Sequence, residues 1–309
     1  MRSEHGWRSS VSADPVEVAA PARLGEGPLW DPVRARLMWV DLLASTVHEF
    51  DPATGHDAVV EFDRPVAALA LLSGGDGYLV AAGLEVAVCA WPSPRLRPVA
   101  GLDRGERAND GAVDPAGRFV VGTMADEATP GQAALYSVAG VTARVVVEGV
   151  TISNGLDWSP DGMTMYYVDT PLERVDAFDY DIATGALSRR RVLADLRDVP
   201  GRPDGLTVDA EGGVWVAMAR GGAAVRRFAP DGRADHVVGL PVPNATSVAF
   251  GGPDLGDLYV TTSQLRMTED DLRTWPSAGA LFRVDDLGVT GRPPVPARVP
   301  LDRPVPHFR

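Results

Sequence analysis

The sequence predicts an all-β protein folded as a six-bladed β-propeller, and three observations carry that prediction. A turn rich in Asp, Pro and Gly, followed by a short apolar strand ending in a small or acidic residue, occurs six times. The strands begin at Leu37, Tyr78, Phe119, Met165, Val214 and Leu258, a spacing of 41 to 49 residues that suits four-stranded blades. Between the turns no sustained i, i+3, i+4, i+7 apolar stripe runs, and 33 Gly with 26 Pro would break most helices. A helical solenoid of similar period is therefore set aside.

Each copy accounts for one blade. Asp31-Pro32 leads into LMWVD, SGGDG into YLVAA, DPAG into FVVGT, SPDG into MYYVD, DAEG into VWVAM and GPDLGD into LYVTT. The Pro, Asp and Gly residues suit tight hairpin turns, and the Val, Tyr, Trp and Thr residues suit strands buried on both faces. Trp39, Tyr166 and Trp215 fall on these strands and read as core. A ring must close between its ends, so Val16 to Ala20 and the LFRV string at 281–284 are expected to share a blade. The expected organisation is a flexible tail over 1–14, the propeller over 15–291 and a Pro-rich, extended tail over 292–309.

Composition narrows the function classes. The net charge is −13, with 42 acidic against 29 basic residues, and such a surface repels a phosphate backbone; no nucleic-acid partner is expected. Every basic residue is arginine, which removes Schiff-base chemistry and lysine phosphate cradles. No apolar run approaches the roughly 18–20 residues of a spanning helix, and the N-terminus lacks an apolar signal core, so no membrane association is expected. The lone Cys89, in VAVCAW, reads as a small buried apolar residue and fits a cytoplasmic location. His5, His48, His56, His236 and His307 read as solvated surface residues, and no G-x-S-x-G elbow supports a serine hydrolase.

One phase of the repeat carries chemistry. Ten or eleven residues before each aligned strand lie Glu26, Ala67, Asn109, Asn154, Asp204 and Ser247. Each should stand near the start of its blade's innermost strand, facing the axis. Four of the six bear carboxylate or amide oxygens, the donors a hard cation such as Ca²⁺, Mg²⁺ or Mn²⁺ takes. No His or Cys shares the phase, which argues against a soft zinc site. The same residues are also ordinary turn and strand-start residues, and Asn154-Gly155 and Asp204-Gly205 resemble turn dipeptides. The glycine after Glu26, Asn154 and Asp204 would allow close backbone approach to an ion or substrate.

The strings around these positions carry a resemblance. They are LGEGPLWD, RANDGAVDPAGRFVVGTMADE, ISNGLDWSPDG with VDAFDYD, PDGLTVDAEGGVWVA, TSVAFGG and AGALFRVDDLGV, in order from about residue 16 to about 290. Together they resemble the regucalcin (senescence marker protein)/gluconolactonase/luciferin-regenerating-enzyme family, the regucalcin branch above all. The resemblance implies a six-bladed propeller with a central metal-binding channel holding one divalent cation, and hydrolysis of sugar lactones. It implies Glu26, Asn154 and Asp204 as metal ligands, Arg107 and Asn109 as contacts to substrate hydroxyls, and Glu127 as an acidic residue of the substrate-covering region. Asp126 is chemically as suited as Glu127 to read sugar hydroxyls.

The expected function is a metal-dependent lactonase with a small-molecule sugar lactone as its partner and Ca²⁺ as the first-ranked ion, ahead of Zn²⁺, Mn²⁺ or Mg²⁺. The ion would polarise the lactone carbonyl and activate water, and Asp204 would be both ligand and catalytic proton acceptor. The alternative is a non-catalytic calcium-binding regulatory propeller, which would not need Arg107, Asn109 and an acidic covering residue. A third reading, hydrolysis of a bulky apolar ester, turns on the loops around 125–133 and 263–277, which carry Met124, Leu265, Met267 and Trp275. Nothing in the pattern sets an oligomeric state or the identity of the lactone.

Overall fold

The computed structural model describes residues 14–16, 21–74, 77–125 and 127–299. They form six four-stranded antiparallel sheets, one per repeat. Blades 1 to 5 span 25–61, 66–101, 107–150, 153–195 and 202–239, each running from its innermost strand outward in chain order. Blade 6 takes three strands from 245–284, and its outermost strand is Asp14–Val16. Asp14 pairs with Arg283, Pro15 with Phe282 and Val16 with Leu281. A proline is tolerated there because the strand is an edge. The ring thus closes where expected from Val16, while Asp14, expected in the tail, is already in the strand. Residues 1–13 and 17–20 lie outside the described residues.

The second strand of each repeat is buried along nearly its whole length, as in Tyr78–Ala82, Phe119–Met124 and Val214–Ala219. Blades press on both of its faces, which explains why the repeat reads as a continuous apolar run rather than as an alternation. Trp39, Tyr166 and Trp215 are buried core residues. Outer strands are exposed and charged: Ala186–Asp195 carries Arg189, Arg190 and Arg191, paired with Asp176 and Asp179 of the neighbouring strand. Charged side chains on such an edge discourage pairing with another chain.

The acidic residue that ends two of the repeat strands has a structural task. Asp41 accepts from the amides of Arg23 and Leu24, and Asp169 from those of Thr151 and Ile152. Each carboxylate therefore fixes the loop that feeds the innermost strand of its own blade, the strand bearing Glu26 or Asn154.

His48 departs from the expectation of a solvated histidine. It is buried, stacks on Trp39 with ring centroids 3.8 Å apart, and bonds Asp57 through Nδ1 at 2.8 Å and Thr46 through Nε2 at 3.1 Å. The nearby Asp51-Pro52 turn suggests exposure, but the third strand of a blade still turns one face inward. His56 is exposed and His236 half-buried; His5 and His307 lie outside the described residues. Cys89 is buried, its thiol donates to the Ser93 carbonyl, and burial pushes it up to about 11.

Residues 289–299 run extended under the ring at the end opposite the starts of the innermost strands. The Arg292 guanidinium reaches the carbonyls of Trp158, Ser159 and Val208 and the Asp157 carboxylate. Ala297 pairs with Leu72, and the Arg298 amide donates to the Gly117 carbonyl. The segment ties blades 2, 3, 4 and 5 together. Among the described residues the one α-helix is Glu269–Thr274, closed by a Thr268–Asp271 capping box. Among the described residues no helix is long and apolar enough to cross a membrane.

Candidate functional site

Every innermost strand carries a β-bulge at the start of its run, and the bulge coincides with the phase picked out by the repeat. Pairing slips between Glu26 and Leu29, Val66 and Ala68, Ala108 and Gly111, Ser153 and Leu156, Pro203 and Leu206, and Ala245 and Ser247. A bulge inserts an unpaired residue and re-aims its side chain. Asn109, Asn154 and Asp204 sit on the inserted residues, Glu26 immediately before one, and Ser247 one residue beyond its blade's bulge at Thr246.

The glycines after Asn154 and Asp204 serve a different purpose from the one expected. A Cβ at Gly155 would stand 2.3 Å from the Leu206 amide nitrogen and 2.8 Å from the Asp204 carbonyl oxygen. A Cβ at Gly205 would meet the Ser247 side chain at 2.2 Å. These glycines let neighbouring innermost strands touch backbone to backbone; the close approach is between blades.

The structure brings Asn109 and Asn154 into direct contact. Asn109 Nδ2 donates to Asn154 Oδ1 at 2.7 Å and to the Ser153 carbonyl at 2.8 Å. Arg107 Nη1 donates to Asn109 Oδ1 at 2.7 Å and to the Ala108 carbonyl, while Nη2 rests on Met124 Sδ at 2.9 Å. Asn154 Nδ2 donates to Thr170 Oγ1 at 2.6 Å, and Thr170 donates to the Pro203 carbonyl at 2.9 Å. One line of bonds therefore runs from Arg107 across blades 3 and 4 to the residue before Asp204. On the opposite side, Thr246 Oγ1 donates to the Gly25 carbonyl at 2.5 Å, fixing the residue before Glu26.

The carboxylates close the set. Glu26 is buried, and burial raises its pKa well above the usual range; the charges of Asp204 and Asp110 add to this, and Arg107 and the Gly27 amide oppose it. Asp204 is raised by burial and then by Asp110, against Arg220 and Arg107. Its Oδ1 is buried without a hydrogen-bond partner. Asp110 is pushed up to about 7 by burial, against the Gly111 amide. Crowded, desolvated carboxylates with an orphaned oxygen are stabilised by a cation. Among the described residues no group of three or more His, Cys, Asp and Glu could hold one alone, so the Asn154 amide oxygen is the further donor to weigh. With Nδ2 given to Thr170, Asn154 Oδ1 keeps a lone pair for it. Glu26, Asn154 and Asp204 fit a hard cation; the donors are all oxygen.

Glu127 is exposed on the loop after Phe119–Met124, and its carboxylate makes no bond among the described residues; Asp126 lies outside them. In the other mouth loop, Met267 and Trp275 pack with Leu272 on the blade 6 core, and Leu265 is exposed. Met124 is buried beneath Arg107. Deeper along the axis a cavity of about 180 Å³ is lined by all six innermost strands, with Asp110 and Ser247 among its walls and Arg292 at its floor. It adjoins the bulges from the side away from Glu26, Asn154 and Asp204. Sequence reasoning missed Asp110, Thr170, Thr246 and Arg220. Asp110 adjoins Asn109, but strand alternation turns neighbours apart, and only the two-residue bulge alters that.

Comparison with known proteins gives a consistent picture. Residues 24–264 match the description SMP-30/Gluconolactonase/LRE-like region. The chain is 40% identical over 283 residues to regucalcin of Gallus gallus, covering 89% of this chain and 94% of that one. It is similar to the solved structure of regucalcin from Agrobacterium tumefaciens, described as a calcium-binding protein, with a TM-score of 0.87 and 30% identity over 94% of this chain and 98% of that one. A luciferin-regenerating enzyme superposes with a TM-score of 0.82 at 32% identity, over 91% of this chain and 97% of that one.

Proposed function

The chain belongs to the SMP-30/gluconolactonase/LRE-like family, and from that premise we propose that it is a divalent-metal-dependent hydrolase that opens a sugar lactone. The observation that carries the reading is the Arg107–Asn109–Asn154 line of bonds abutting two desolvated carboxylates, one with an orphaned oxygen. Glu26, Asn154 and Asp204 would hold the ion, with Ca²⁺ favoured by an all-oxygen donor set. When bound, such an ion supplies Lewis-acid polarisation of the ester carbonyl and lowers the pKa of water.

The protein's own groups supply the rest. Arg107 offers a fixed donor, and Asn109, whose two N–H groups are held by Asn154 and Ser153, a fixed Oδ1 acceptor, to ring hydroxyls, and together they orient the ester for attack. Their mutual bond keeps both in place before substrate arrives. Asp204 takes the proton of the attacking water at its carboxylate, whose basicity burial raises well above that of an ordinary carboxylate. Glu127, exposed on the loop after Phe119–Met124, would meet the hydroxyls of a bound sugar. The lone buried Cys89 favours a cytoplasmic setting.

A titration tests this. The protein binds one divalent ion per chain and Asp204→Ala abolishes that binding with the circular dichroism spectrum unchanged; normal ion binding by the variant defeats the site assignment. The loaded protein opens members of an aldonolactone panel, a chelator removes the activity, and Asp204→Ala lowers kcat/KM by about 10²–10³. The second reading, a calcium-binding regulator, is favoured by the description of the Agrobacterium relative as calcium-binding. It gains the ground if ion binding survives but lactones open no faster than in a metal-only blank.

A further inference from the structure

We propose that Arg220 reads an anionic substituent, a carboxylate or phosphate, carried by the substrate on the side remote from the ester. The inference rests on the lactonase reading of the site and adds the charge class of its substrate.

Arg220 is held by its backbone at the end of the ring where Asp204 stands. Ala219, the last residue of its strand, pairs with Arg202, two residues before Asp204 in the same blade. Arg220 itself has φ 51°, and the loop behind it is tied down on both sides. The amides of Gly221 and Ala223 donate to the Pro243 carbonyl at 3.0 and 3.2 Å. Gly201 approaches so closely that a Cβ there would meet Gly222 Cα at 2.5 Å. A loop pinned in this way fixes the starting point of the Arg220 side chain.

The guanidinium is uncommitted. Arg220 is exposed and makes no hydrogen bond or ion pair among the described residues, and its charge opposes the upward shift of Asp204. Arg107, the other cation acting on Asp204, is already occupied by Asn109, Ala108 and Met124. Arg202, at the same end of the blade, is paired with Glu173.

Local charge explains why an anion would be wanted. A divalent ion balances Glu26 and Asp204, leaving Arg107 and Arg220 against Asp110, one more cation than anion at this end of a chain with net charge −13. On such a surface an anion finds no general attraction, so a specific guanidinium is needed to hold it.

Calorimetric titration of the Ca²⁺-loaded full chain separates the possibilities, with D-gluconate, D-glucarate and 6-phospho-D-gluconate as probes. All three share the polyol and one carboxylate; the second adds a carboxylate and the third a phosphate. Wild type is expected to bind one or both of the more charged probes about tenfold more tightly than gluconate, and which one identifies the group. Arg220→Ala brings the ratio to about one, and Arg220→Lys restores part of it; an unchanged melting temperature shows that the loop still folds. Equal binding of all three probes by wild type, no binding of any, or a ratio that Arg220→Ala does not move overturns the proposal. Hydrolysis of glucono-lactone is measured alongside: its absence counts against the lactonase reading, while the binding ratio still decides Arg220.

Discussion

Asn154 illustrates how a neutral amide is made into a directed oxygen donor. Its nitrogen is bound at 2.6 Å by Thr170, and that hydroxyl is itself held by the Pro203 carbonyl. The amide therefore cannot turn over, and Oδ1 stays on the side of Asn109 with a lone pair to spare. Partners that orient a ligand matter nearly as much as the ligand, typically 10–100-fold in ion affinity. Thr170→Val keeps the size and removes both bonds. It is expected to weaken Ca²⁺ binding about tenfold by calorimetry while leaving the circular dichroism spectrum unchanged; unaltered affinity would show that Thr170 does not hold the amide. The reason is chemical rather than steric, so Thr170→Ser should bind as wild type does.

Among the elements, the innermost strand combines two demands that the sequence expresses in one dipeptide. The first residue of Asn154-Gly155 and of Asp204-Gly205 is turned toward the axis by a bulge, and the second disappears so that the next blade can approach. Gly155→Ala places a methyl against backbone atoms of blade 5, which cannot swing aside as a side chain can. Overpacking of this kind costs about 3 kcal/mol, and chemical denaturation should show a loss of that order together with weakened ion binding. A variant as stable as wild type would mean that the blades are less closely seated. This is also where sequence reading succeeds and stops. The period, the turn residues and the polar phase are local patterns, so the propeller was legible, and so was the phase of Glu26, Asn154 and Asp204 that falls at the bulges. Asp110 was hidden because strict strand alternation turns it away from Asn109, and only the bulge undoes that. Thr246 and Thr170 act across blade boundaries, between residues 221 and 33 positions apart, and no single strand announces such partners. Arg220 likewise gains meaning only from the fold that brings it to Asp204.

For the whole molecule, the consequence of gathering Glu26, Asp110 and Asp204 is a coupling between acidity, ion binding and stability. A carboxyl whose pKa is raised on folding binds more protons folded than unfolded, so stability falls as pH rises between the two values. For Asp110 the window runs from the ordinary carboxylate value, 3.8, to about 7. Glu26 and Asp204 shift in the same direction. In a chelator, the midpoint of urea unfolding should therefore decline from about pH 4.5 to 7, by at most a few kcal/mol in free energy. Below that window the protons neutralise the cluster; above it only a cation can. Added Ca²⁺ should thus stabilise little at pH 5 and strongly at pH 7.5, with apparent affinity rising across the same range as protons cease to compete. Asp110→Asn removes one of the three titrating groups without touching Glu26, Asn154 or Asp204, and should flatten the decline seen in chelator. A chelated protein whose stability instead rises toward pH 7 would mean that the three carboxyls are well solvated and do not crowd one another.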